Sequence, residues 1–115
     1  MCIATATDRY LVEAALDRCG VLSCFGGIFT CGEVGHGKDE PHIFEEALRF
    51  LGTERERTVV FDDALYAVRT AKEAGFLVAA VCDSHEKAQD SIRALADLYL
   101  EDFTQTEKIR EYLLD

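Results

Sequence analysis

Apolar residues fall along this chain in two alternating rhythms. Short continuous apolar runs at residues 1–7, 26–30, 58–61, 76–82 and 98–100 are bounded by turn formers and read as strands. Between them, apolar positions recur every three or four residues, as on helices that bury one face. Leu11, Val12, Ala15, Leu16 and Cys19 make the first such face, with Asp8 placed to cap it and Gly20 to stop it. Pro41 opens a second helix that carries Ile43, Phe44, Ala47, Leu48 and Leu51 and ends at Gly52.

A third helix runs through Ala64, Ala67, Val68, Ala71 and Ala74 to Gly75. A fourth, with Ala88, Ile92, Leu95 and Ala96, has Ser84 as its candidate cap. Thr104 and Glu107 form a capping-box pair for a last helix with Ile109, Tyr112 and Leu113. Residues 33–40 read as a glycine-punctuated loop. Strands alternating with helices in this way predict an α/β fold, a doubly wound parallel sheet. The run at 76–82 is apolar throughout, as expected where both faces of a sheet are covered.

Composition narrows the function. At 115 residues the chain is one domain or less, and 49% hydrophobic residues can build a core. A net charge of −10 repels nucleic-acid phosphates and disfavours a nucleic-acid partner. Neither a run of about 20 apolar residues nor a signal-peptide pattern is present, so the expectation is a cytoplasmic protein with no membrane partner. The five cysteines contain no CxxC pair and read as buried thiols in a reducing compartment.

Chemistry gathers at strand ends. Asp62 and Asp63 follow the run 58–61 directly, and two adjacent carboxylates need a cation to remain ionised together. Their rival reading is helix capping by Asp63. Thr5 ends the first strand, and Lys38 sits in the glycine-rich loop; alone, these read as a capping residue and a solvated charge. His36, His42 and His85 are scattered in sequence and read as surface residues without a catalytic role. Ligands on open α/β sheets bind beyond the carboxyl ends of the strands, where Thr5, Asp62 and Asp63 fall.

Taken in order, these residues resemble one family. Cys2-Ile-Ala-Thr-Ala-Thr7, then Glu33-Val-Gly-His-Gly-Lys38 with Pro41 and Ile43-Phe44, then Val59-Val-Phe-Asp-Asp63 are similar to the second, third and fourth motifs of the haloacid-dehalogenase-like hydrolases. The subgroup they resemble contains the phosphoglycolate phosphatases and β-phosphoglucomutases. The resemblance implies a Mg²⁺-dependent phosphatase of small phosphorylated metabolites. It implies that Thr5 hydrogen-bonds a phosphoryl oxygen, with Thr7 lining the same pocket. It further implies that Lys38 offsets charge and that Asp63 binds Mg²⁺ with Asp62 beside it. Lys38 is followed by Asp39 where the family often has proline, and Tyr66 stands where a small residue is usual.

The family's first motif, a strand ending in Asp-x-Asp, supplies the nucleophile, and no Asp-x-Asp occurs in this sequence. The resemblance therefore describes residues 1–115 as a partial core domain without its first strand and cap, inactive alone. The alternative is a catalytically dead binding or assembly module. In the family the absent strand is central, and each unpaired buried backbone group costs about 1–3 kcal/mol. The expectation is a homodimer through the unpaired sheet edge, which a strictly monomeric species at all concentrations would count against.

Overall fold

A computed structural model describes residues 1–102 and 104–114. Its contacts divide the chain into two compact units, Met1–Glu54 and Arg55–Asp115. All strand pairing within them is parallel.

The first unit is built on β1 (Cys2–Thr5) and β2 (Gly27–Thr30), joined through α1 (Arg9–Arg18). Thr5 stands opposite Thr30 in the register. The expected first strand stops two residues early because the Thr5 hydroxyl accepts the N–H of Thr7 (3.1 Å) and turns the chain. Asp8 occupies the N-cap of α1, yet the cap bonds come from its backbone carbonyl, which receives Leu11 and Val12. The apolar face of α3 (His42–Leu51) buries Ile43, Phe44 and Ala47 and packs against β1 and β2. Gly27 admits this approach, since a Cβ there would meet the Phe50 ring at 3.1 Å. α3 ends at Gly52, whose φ of 66° is a left-handed value that glycine adopts without strain.

Residues 33–40 are not wholly loop. Thr30 accepts the N–H of Glu33 (3.1 Å) and donates its hydroxyl to the Glu33 carboxylate (3.0 Å), which nucleates one helical turn, α2 (Cys31–Val34). Arg9 reaches across from α1 to that carboxylate (2.9 Å) and to the carbonyl of Ile28. These hydrogen bonds from Arg9, and after them the one from Thr30, hold the Glu33 carboxyl below its usual range.

In the second unit β3 (Val59–Asp62), β4 (Leu77–Val81) and β5 (Leu98–Leu100) form a sheet of order β3-β4-β5. The helices α4 (Leu65–Glu73) and α5 (Gln89–Leu95) connect them. Burial concentrates on β4 and α4: Val78, Ala79, Ala80, Ala67, Val68 and Ala71 are fully buried, as are Ile92 and Leu100. The alanines let α4 lie close to the strands. Asp97 holds the start of β4 by accepting the N–H of Val78 (2.8 Å), and Lys72 pairs with it at 2.9 Å. Among the described residues β1 and β3 each pair with a strand on one side only.

Two helix starts differ from expectation. α5 begins at Gln89 rather than just after Ser84, because side chains take over the intervening backbone. Asp83 accepts the N–H of His85 (3.0 Å) and Glu86 that of Ala88 (3.1 Å), which closes turns in place of a helix. α6 (Thr106–Leu114) starts later than the Thr104–Glu107 box implied, because the Thr104 hydroxyl donates to Asp102 and leaves Gln105 ahead of the helix. The side chain of Leu113 lies outside the described residues.

Buried thiols were expected and are not found. Cys19, Cys24 and Cys82 are exposed, and Cys2 and Cys31 are half-buried. Cys19 and Cys82 directly follow α1 and β4, where the chain turns outward.

Candidate functional site

The residues singled out from the sequence fall on both units. In the first, Thr5 closes β1 and is half-buried. Its oxygen accepts from Thr7, which fixes the side chain and leaves the hydroxyl hydrogen to donate to a second partner. Lys38 lies between α2 and α3, where the N–H of Glu40 bonds the carbonyl of Gly37 (3.1 Å). That turn presents Lys38 at its second position and half-buries it, unlike the fully solvated charge an isolated lysine suggests. Asp39 folds back over Gly37, so a Cβ on Gly37 would stand 2.9 Å from its carboxylate.

In the second unit Asp62 is the last residue of β3 and Asp63 follows at once. The Asp62 carboxylate accepts the N–H groups of Asp63 (2.8 Å) and Ala64 (3.3 Å). The N-cap of α4 is Ala64 and has no side-chain cap bond, so capping does not account for Asp63. The Asp63 carboxyl titrates above its usual range, through partial burial first and the adjacent Asp62 charge second. The residue itself is exposed, so only its carboxyl end is crowded. Asp83 adds to the same rise, with its negative charge near Asp63 from beyond the end of β4.

Asp83 was missed by the sequence reading. The signal was a carboxylate directly after the apolar run 76–82, passed over because it stands there without a second carboxylate beside it. Glu86 was missed as well. It reaches from the β4–α5 connection to accept the N–H of Leu65 (3.3 Å), and so fixes the first turn of α4. Tyr66 stands on that turn with half its surface exposed.

Asp63, with the Asp62 and Asp83 charges near it, offers hard carboxylate oxygens at the strand ends. Such a set fits Mg²⁺, which takes one or two carboxylates and completes its shell with water and phosphate oxygens.

A family model for haloacid dehalogenase-like hydrolases matches residues 1–75. The chain belongs to this family. It is 29% identical over 103 residues to validoxylamine A 7′-phosphate phosphatase of Streptomyces hygroscopicus subsp. limoneus, a match covering 90% of this chain and 47% of that protein. It is 28% identical over 75 residues to the fructose-1-phosphate phosphatase of Escherichia coli, covering 65% of this chain and 40% of the relative. Among solved structures, CbbY of Rhodobacter sphaeroides in complex with phosphate superposes with a TM-score of 0.80 at 30% identity. That match covers 90% of this chain and 47% of CbbY. The chain therefore spans less than half the length of the curated relatives it matches. The α/β fold of parallel strands is the one expected from the motif order. No described helix is long and apolar enough to cross a membrane.

Proposed function

We propose that this chain carries the phosphate-binding and Mg²⁺-binding residues of a phosphatase acting on small phosphorylated metabolites. The observation that carries the reading is Asp63 directly after β3, with Asp62 beside it and the Asp83 charge acting on it from beyond β4, in a chain of this family. Two relatives, each a phosphatase of a small phosphorylated compound, support the substrate class.

In this reading Asp63 holds Mg²⁺ directly, and Asp62, its carboxylate fixed by two backbone N–H groups, stands beside it. Bound there, Mg²⁺ supplies positive charge to the phosphoryl oxygens, where most of the catalysis of phosphoryl transfer lies. In the first unit, Thr5 donates its hydroxyl to a phosphoryl oxygen. Lys38, held in its turn by the Gly37–Glu40 bond, offsets phosphate charge. The attacking aspartate is not among these residues, because the sequence contains no Asp-x-Asp. By itself this chain turns over little or nothing.

Amide spectra of the isotope-labelled chain, titrated with Mg²⁺ and then with orthophosphate, test the assignment. Mg²⁺ is expected to shift Asp62, Asp63 and Ala64, and phosphate to shift Thr5 and Lys38. Shifts confined to other residues would remove the site.

A further inference from the structure

The histidines that look scattered in the sequence are not scattered in the fold. The rings of His36 and His42 stack with centroids 3.7 Å apart and planes at 10°. Glu40 serves both: its Oε2 lies 2.9 Å from Nδ1 of His36 and 3.4 Å from Nδ1 of His42. We propose that His36, Glu40 and His42 form a binding site for a divalent transition-metal ion of the zinc class, separate from the aspartates at the strand ends.

The local sequence builds the arrangement. The Gly37–Glu40 turn brings Glu40 back beneath His36. Pro41, with φ of −79°, leads directly into α3, whose first residue is His42. Both imidazoles thus come from short, fixed segments on either side of one turn. All three ligand atoms lie within 4.8 Å of one another. Zinc binds histidine nitrogen and carboxylate oxygen at about 2.0–2.2 Å, which separates ligand atoms on a tetrahedral centre by about 3.3 Å. The 2.9 and 3.4 Å from Glu40 to the two imidazoles bracket that spacing. For both nitrogens to face one ion the stacked rings must turn out of parallel about their side-chain bonds, which their exposure allows without refolding the turn.

Two imidazoles and one carboxylate select Zn²⁺, Ni²⁺ or Cu²⁺ over Mg²⁺, whose preference is for oxygen. They form a three-ligand set that leaves a coordination position for water or a further group. The three side chains are exposed, so an ion enters from solvent. The acidic surface, at net charge −10, raises the local cation concentration.

Calorimetric titration of the reduced chain with Zn²⁺ in excess Mg²⁺, together with Co²⁺ absorption spectra, tests the site. One ion per chain is expected, with Co²⁺ spectra free of thiolate charge-transfer bands despite the exposed cysteines. His36→Ala and His42→Ala are each expected to weaken binding about 30-fold or more, and Glu40→Gln about tenfold. Asp63→Asn should leave this affinity unchanged, which separates the site from the proposed Mg²⁺ centre. Zn²⁺ affinity unaltered in the His36→Ala/His42→Ala double variant, with circular dichroism showing it folded, would overturn the proposal. A thiolate band that accounts for all the binding would do the same.

Discussion

The substitution Asp63→Asn is expected to weaken Mg²⁺ binding by about 100-fold without unfolding the protein. It removes the charge of the proposed direct ligand and keeps its shape. Loss even of an outer-shell partner commonly costs about 10- to 100-fold in metal affinity, so a direct ligand lies at the upper end or beyond. The fold should tolerate the change, because ionised Asp63 stands against the like charges of Asp62 and Asp83. A neutral amide there relieves that repulsion in the metal-free protein. Calorimetry for Mg²⁺ and a thermal melt without metal separate the two effects. Affinity within threefold of the parent would mean that the aspartates are a solvated turn and nothing more.

Truncating Ile92 to alanine has the largest expected effect on stability. Ile92 is fully buried in α5, which packs on α4, itself lying against β4. Deleting three methyl or methylene groups at such a site typically costs about 2–5 kcal/mol, through lost transfer energy plus the cavity left behind. Small domains hold only about 5–15 kcal/mol in total, so a large share of the margin goes. Urea unfolding reads the change as a lower midpoint at constant slope. The Mg²⁺ affinity of the remaining folded protein should stay within threefold, because Ile92 acts on the scaffold and not on the carboxylates. A loss under about 1 kcal/mol would mean that the α4–α5 layer is not the core the burial pattern describes.

The strands were legible because parallel strands buried on both faces read as unbroken apolar runs, and 76–82 is such a run. Their ends slid by a residue or two where side chains closed turns, as Thr5 does onto Thr7. Helix starts were less legible, because a capping residue can serve other backbone groups. Thr30 and Glu33 form a cap that went unread, the Thr30 oxygen accepting the N–H of Glu33 while its hydroxyl donates to the Glu33 carboxylate. The sequence pointed to Thr104 and Glu107. At the latter place Asp102 took the threonine hydroxyl instead. Asp62 and Asp63 could be found from sequence because they abut an apolar strand. Asp83 follows the run 76–82 just as directly, but it stands alone there, and a single carboxylate after a strand reads as an ordinary turn residue. The His36–Glu40–His42 group escaped because a turn brings its members together, and linear spacing does not display a turn.

Phosphate release from a panel of small sugar and acid phosphates, by the protein isolated from its source cells in a form that carries an attacking aspartate besides residues 1–115, tests the phosphatase reading most directly. Release is expected to require Mg²⁺, to stop on chelation and to return when Mg²⁺ is restored. No release from any member of the panel at any Mg²⁺ concentration would contradict it, and a binding or assembly role would take its place.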